Sequence, residues 1–359
     1  MTDQPLAQEE LSYTKQDTRP AIVAPAASEP APPLLLLPEH AVGYRRSVQY
    51  VSGVAALVLM FFASASLTAA YLFKGVEGAA LAAQTAAAAA PIEDPFATVS
   101  VAAQSAYVLD LTTDRVLYSK NADTKLPLAS LSKVALVLAV SEVFPAGTEI
   151  TIPAHSPPDG AGIRLPAGLR FRAEDLIDFT LVASSNEGAA ILADAADGAL
   201  RAKYPQASPH GAALWRMNDI AQHLGLSSIV FLNTSGLDVD DTQAGSFGSA
   251  HDVARLFGYA ATTAPDSFGH TSRSNITIRA TTGETVPAAN TDEALPAIPG
   301  IIVGKTGFTE LAGGNLAIVF EVGPAHPVVA VVLHSTLDGR FADMKNLVAA
   351  TVAAISAGQ

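Results

Sequence analysis

Two kinds of hydrophobic pattern divide the chain. Near the N-terminus, 27 residues from Ser47 to Phe73 pass without a charged side chain. The centre of that run, Val54 to Phe62, is long and apolar enough for a helix that crosses a bilayer. Tyr50 and Tyr71 stand near its ends, where interfacial aromatics belong. From about Thr98 the apolar residues recur in shorter, periodic groups. Ser105 to Leu111 and Arg115 to Tyr118 alternate with period two, and Thr112-Thr-Asp114 between them predicts a hairpin. An apolar run from Val134 to Val140 predicts a helix that opens at Ser130. Glu149 to Ile152 predicts a short strand and Ser156 to Gly162 a loop. Helical spacing then covers Ala173–Val182, Glu187–Ala196, Trp215–Leu224 and Ala250–Tyr259, with strand and turn over Phe231–Gly236. The last third predicts three consecutive strands, over Gly300–Phe308, Asn315–Glu321 and Pro327–Leu333, and a closing helix over Phe341–Ile355. Strands at both ends with helices between them predict an α+β domain whose terminal strands share one antiparallel sheet.

The segments before this domain carry different signals. Residues 1–46 form a Pro- and Ala-rich tail with little to bury, read as disordered. Arg45 and Arg46 flank the apolar run and place its N-terminal side in the cytoplasm. The span 47–73 therefore reads as a single-pass anchor in the cell membrane, with everything after Lys74 outside. A cleaved signal peptide would need a shorter charged region than the one here. Residues 74–97 are Ala-rich and read as a stalk, leaving 98–359 as the globular part.

Composition removes some chemistry. The chain has no cysteine, so thiol nucleophiles, disulfides and thiolate metal sites are excluded. The formal net charge of −13 argues against a nucleic-acid surface, which needs a basic face. The eight histidines are scattered and predict neither a metal site nor a cofactor. His251-Asp252 suggests a fragment of a triad, but a helix start favours capping.

Three short motifs remain. Ser130 and Lys133 are one helical turn apart, which sets a hydroxyl beside an amine. A serine hydroxyl needs such a base, and a lysine serves only when burial or another cation lowers its pKa. Ser184-Ser185-Asn186 lies at a helix junction and, taken by itself, reads as a cap for the helix at Glu187 ahead of any catalytic role. Lys305-Thr306-Gly307 lies on a strand, where glycines mark close approach of another backbone or a ligand. Each motif is weak alone: Ser12-Tyr-Thr-Lys15 matches the first and Ser119-Lys-Asn121 the second.

In this order, however, they resemble the active-site elements of the penicillin-binding proteins and serine β-lactamases. With their flanks, Leu128 to Lys133, Leu181 to Asn186, Asn233 to Asp238, Asn290-Thr291 and Gly304 to Thr309, they are similar to the D-alanyl-D-alanine carboxypeptidases. These are low-molecular-mass penicillin-binding proteins of peptidase family S11. The resemblance implies the transpeptidase fold, an antiparallel sheet with flanking helices plus an all-helical subdomain. It implies a peptidoglycan stem peptide ending in D-Ala-D-Ala as substrate and β-lactam antibiotics as inhibitors. By position, Ser130 would be the acylated nucleophile and Lys133 its base. Ser184 would relay a proton, and Asn186 would hold Lys133 and the substrate amide. Lys305 and Thr306 would bind the terminal carboxylate, with the Lys305 charge helping to keep Lys133 neutral, and the N–H groups of Ser130 and Phe308 would form the oxyanion hole. The chain departs from the family pattern at Glu187 (usually Asp), Phe308 (commonly Tyr) and Gly304 (usually bulkier and apolar). A serine β-lactamase would need a base for the deacylating water, and Glu187 beside the second motif is not on the loop where one large class keeps it. A non-catalytic, wall-tethered penicillin sensor is the other alternative.

Overall fold

The computed structural model describes residues 94–154, 164–208 and 210–358. The tail, the apolar span 47–73, most of the stalk and the loop at 156–162 lie outside the described residues. Among the described residues no helix is long and apolar enough to cross a membrane.

Strands β1 (Ser105–Asp110), β2 (Arg115–Lys120) and the two-residue β3 (Leu126–Pro127) come first. A 3-10 turn over Ala129–Ser132 leads into helix α1 (Lys133–Ser141). The short hairpin β4 (Glu149–Thr151) and β5 (Arg170–Arg172) precedes helices α2 (Ala173–Val182), α3 (Asn186–Lys203) and α4 (Ala212–His223). Strands β6 (Val230–Phe231) and β7 (Ser246–Gly248) are followed by α5 (Ala250–Thr263), α6 (Pro265–Phe268) and a hairpin of β8 (Asn275–Arg279) and β9 (Thr285–Ala289). The chain closes with β10 (Ile301–Thr309), β11 (Gly313–Glu321), β12 (Pro327–Ser335) and α7 (Gly339–Ser356).

The main sheet has the order β10-β11-β12-β1-β2. Every pairing in it is antiparallel, and β1 joins the two ends of the domain by pairing with β12 from Ser105↔Leu333 to Asp110↔Val328. Both faces of this sheet are covered, which is why its central strands read as nearly unbroken apolar runs. Tyr107, Leu109, Ala317, Val319, Val329 and Val331 turn toward the helices α1–α5. Ala106, Val108, Leu316, Ile318, Ala330 and Val332 turn the other way, onto Phe341, Met344 and Leu347 of α7. Phe96 joins this second cluster, so burial begins just ahead of Thr98. Helix α1 is apolar all round and buried from Lys133 to Val140, as a helix wrapped by others must be. Helices α2, α3 and α4 pack around it as the helical part.

Several predicted boundaries move. The helix read from Ser130 starts as a 3-10 turn, with regular helix only from Lys133. The helix read as 187–196 runs from Asn186 to Lys203, because Arg201 and Lys203 stabilise its C-terminal end. The helices read as 215–224 and 250–259 run over Ala212–His223 and Ala250–Thr263. The β8–β9 hairpin was hidden by Pro287, which is tolerated because this sheet has only two strands.

Asp343 ties the N-terminal segment to the closing helix. It accepts from the N–H groups of Ala102 (2.8 Å) and Ala103 (2.9 Å) and from the Ser335 hydroxyl (2.7 Å). Asp343→Ala leaves two backbone donors without partners at a buried site and is expected to lower the unfolding free energy by about 3 kcal/mol. Urea unfolding with an unchanged m-value checks this.

Candidate active site

The 3-10 turn that presents Ser130 is built around an unusual backbone. Ala129 has φ +50°, a left-handed conformation that a side chain with Cβ rarely adopts. It is held by its surroundings. The Ala129 carbonyl accepts from Ser132 Oγ at 3.0 Å, and the backbone of Gly236 lies against it so closely that a Cβ there would come within 2.0 Å of the carbonyl oxygen. Gly236 itself has φ +82°, so this position needs glycine twice over.

Lys133 is completely buried. Its Nζ donates to Ser130 Oγ (2.7 Å), Asn186 Oδ1 (2.6 Å) and the Ser235 carbonyl (2.8 Å). Two of these three partners can only accept. When Lys133 is neutral, its two N–H bonds are taken by Asn186 and Ser235, and the lone pair is left facing Ser130. The hydroxyl then becomes the donor. This arrangement is what a lysine base acting on a serine requires.

Both readings of Ser184-Ser185-Asn186 are realised, by different residues. Ser185 caps α3, accepting from Gly188 N–H at 2.9 Å. Ser184 has φ +57° and turns the chain between α2 and α3, so that Ser184 and Asn186 both reach the lysines. Lys305, on β10, is 1% exposed and donates to Ser184 Oγ (2.7 Å) and to the Thr306 carbonyl (2.8 Å). Burial first, then the charges of Lys133 and Arg340, push the Lys305 ammonium well below the ordinary lysine range. Thr306 Oγ1 is 2.6 Å from Thr291 Oγ1. Gly307 lies against the nucleophile's turn: a Cβ there would stand 2.8 Å from the Leu128 carbonyl and 3.3 Å from Ser130 N. Phe308 follows on the rim, 44% exposed. Ser130, Lys133, Ser184, Asn186, Lys305, Thr306 and Gly307 thus meet at one site from three distant parts of the chain.

Sequence reasoning missed three contributors. The Ser235 carbonyl carries no side-chain signal. Thr291 was quoted only as part of a flank. Arg340, at the start of α7, donates from Nη1 to the Gly307 carbonyl at 2.8 Å and braces the strand end. Other candidates fall away. Asn121 donates to the Gln104 carbonyl, far in sequence from the motifs. His251 sits at the start of α5, where Ser249 is the cap, and Asp252 accepts from Ser228. Glu187 is buried, accepting from Leu165 N–H at 2.9 Å and pairing with Arg164. Among the described residues no cluster of His, Asp or Glu could hold a metal ion.

Residues 86–336 match the family described as D-alanyl-D-alanine carboxypeptidase. The chain belongs to that family. A D-alanyl-D-alanine endopeptidase of Escherichia coli is 27% identical over 239 residues, 65% of this chain and 71% of that protein. The carboxypeptidase DacB2 of Mycobacterium tuberculosis is 30% identical over 66% of this chain and 77% of its own length. The match to the carboxypeptidase DacF of Bacillus subtilis, at 25% identity, spans 61% of that protein. Among solved structures, penicillin-binding protein D2 of Listeria monocytogenes in its cefotaxime-bound form superposes with a TM-score of 0.59 at 26% identity, covering 70% of this chain and 98% of that one. Family membership makes the chain a serine-type peptidase with the penicillin-binding fold, an antiparallel sheet with helices.

Gly307→Ala tests the close approach. The new methyl group must displace β10 from the Ser130 turn, and a shift of about 1 Å at a catalytic centre costs roughly 100-fold. Stopped-flow acylation by a fluorescent penicillin is expected to slow by that order while the melting temperature changes little.

Proposed function

We propose that the chain is a membrane-anchored D-Ala-D-Ala carboxypeptidase that trims peptidoglycan stem peptides through an acyl-enzyme on Ser130. The observation that carries this is the single cluster in which Lys133 contacts Ser130 and Asn186 and Lys305 contacts Ser184. Ser130 Oγ attacks the carbonyl of the penultimate D-Ala while Lys133 takes its proton. The oxyanion forms against the N–H groups of Ser130 and Phe308. The C–N bond breaks, the leaving amine of the terminal D-Ala takes a proton through Ser184, and water hydrolyses the ester. Lys305 and Thr306 hold the terminal carboxylate, with Thr291 orienting the Thr306 hydroxyl. A β-lactam enters the same route and stops at the ester. The solved Listeria relative bound to cefotaxime or ampicillin supports that expectation.

Glu187 supports hydrolysis of peptides rather than of β-lactams. Its carboxylate is committed to Leu165 and Arg164, so it cannot serve as the base that frees a penicilloyl ester. The domain plan is a cytoplasmic tail at 1–46, an anchor at 47–73 in the cell membrane, a stalk at 74–97 and an extracytoplasmic catalytic domain at 98–359. The uncharged span and its paired arginines support it.

Three outcomes test this reading. Ser130→Ala is expected to abolish both penicillin labelling and release of D-Ala from a D-Ala-D-Ala peptide; labelling that persists sinks the choice of serine. Lys305→Ala is expected to raise KM for the carboxylate-ending peptide more than for the corresponding ester. The depressed Lys305 pKa adds a pH dependence. Its ammonium is present below that pKa and lost above it, so KM for the peptide rises with pH well before an ordinary lysine, near 10.4, would titrate.

A further inference from the structure

Three pieces of chain meet around Ser130, and they touch one another pairwise. The Ser130 turn and the loop 233–238 are in backbone contact, since a Cβ on Gly236 would come within 2.0 Å of the Ala129 carbonyl oxygen. The turn and the end of β10 are in backbone contact too, since a Cβ on Gly307 would stand 2.8 Å from the Leu128 carbonyl oxygen. The third side of the triangle, between the loop and the end of β10, is made by a side chain. Asp238 Oδ1 accepts from Thr309 Oγ1 at 2.9 Å, and Asp238 Oδ2 accepts from Leu311 N–H at 3.3 Å. Both donors lie just past Phe308, and Thr309 Oγ1 also accepts from Ala312 N–H at 3.1 Å. Among the described residues, these two bonds to Asp238 are the hydrogen bonds that join the loop to that strand end.

The loop orders itself locally. Asn233 Oδ1 accepts from Gly236 N–H (2.7 Å) and Ser235 N–H (3.2 Å), and Asn233 Nδ2 donates to the Leu237 carbonyl at 2.8 Å. Beyond Asp238 the chain turns back, with Val239 N–H donating to the Gln243 carbonyl at 2.7 Å. Asp240 closes that turn from within, accepting from Thr242 and Gln243. Asp238 instead reaches partners more than 70 residues away. Leu237 and Val239 on either side of it are 41% and 58% exposed, so little apolar packing holds this stretch, and the carboxylate is its tie. Bonds to a carboxylate are stronger than those between neutral groups. What the loop delivers to the site is the Ser235 carbonyl, which accepts from Lys133 Nζ at 2.8 Å. What the strand end delivers is the N–H of Phe308.

We propose that Asp238 is a positioning residue for acylation: it clasps the loop carrying the Ser235 carbonyl to the end of β10, so that the acceptor of Lys133 and the N–H of Phe308 keep a fixed spacing across Ser130. This deepens the carboxypeptidase reading and rests on its choice of Ser130 as the nucleophile. With the clasp cut, Gly236 still rests on Ala129, but the loop pivots about that contact and carries the Ser235 carbonyl off Lys133. The amine then loses an acceptor that aims its lone pair at the serine hydroxyl. Lys305 and Thr306 are held by Ser184 and Thr291, outside the loop. The loss therefore falls on the chemical step and spares binding.

The full chain in detergent is compared as wild type, Asp238→Ala, Thr309→Val, Thr309→Ser and the double variant Asp238→Ala/Thr309→Val. Stopped-flow titration with a fluorescent penicillin separates the dissociation constant of the first complex from the acylation rate constant. Asp238→Ala is expected to slow acylation by roughly 10- to 100-fold, as a displacement of up to about 1 Å does, with the dissociation constant unchanged. Thr309→Val is expected to slow it less, because Leu311 N–H keeps its bond, and Thr309→Ser to restore the wild-type rate. The double variant is expected to match Asp238→Ala, since Thr309 acts through that carboxylate. A wild-type rate in Asp238→Ala, weaker binding at an unchanged rate, or losses that add in the double variant overturns the proposal. A lower melting temperature with an unchanged rate also overturns it and leaves Asp238 a structural residue. Should Asp238→Ala fail to fold, the two Thr309 variants decide: equal rates in Thr309→Val and Thr309→Ser overturn the proposal. A wild type that takes penicillin but releases no D-Ala removes the carboxypeptidase reading, while the acylation rates still decide the role of Asp238.

Discussion

The structure depends on burying an amine among groups that allow it to be neutral. Lys133 has no solvent to accept its protons, and its partners are a carbonyl, an amide oxygen and the serine hydroxyl. A charged lysine there gives up its hydration, a cost of several kcal/mol that its neighbours must offset. Other features follow from that constraint. The apolar body of α1 excludes water from one side. The left-handed Ala129 lifts Ser130 onto the amine, and Gly236 lets the Ser235 carbonyl approach from the other side.

Lys305 applies the same constraint from the strand. Two buried lysines brought close cannot both hold a full charge cheaply, and the charge of Lys133 lowers the proton affinity of Lys305 after burial has done so. What separates their roles is what else each one touches. Lys133 faces acceptors and the nucleophile. Lys305 faces Ser184 and a backbone carbonyl. The two lysines thus differ by their neighbours rather than by residue type.

Much of this was legible in the sequence, for identifiable reasons. Nearly unbroken apolar runs in the last third marked β10, β11 and β12 to within two residues, because strands covered on both faces need no polar side. The serine and both lysines were legible through three short motifs, which the structure brings together. The 3-10 character of the Ser130 turn was not, since the left-handed Ala129 before it packs against Gly236 and its carbonyl accepts from Ser246 Oγ at 3.4 Å, both more than 100 residues away. Ser185 shows a different limit: spacing alone could not say which of two adjacent serines caps the helix and which enters the cleft. Arg340 stayed hidden because it acts through the Gly307 carbonyl and belongs to no local pattern.

The pairing of β1 with β12 has a consequence for how the enzyme comes into being. Residues 105–110 wait for partners more than 200 positions later, and pairings of such long range close slowly. Lys305 and Arg340 also belong to the last fifth of the polypeptide. While the ribosome is still making the chain, Ser130 can already exist on its turn, but neither the strand that receives a carboxylate nor the arginine that braces it is present. Catalytic competence is therefore withheld until synthesis is nearly finished. A truncated product would emerge inert toward the cell wall instead of as a poorly controlled hydrolase.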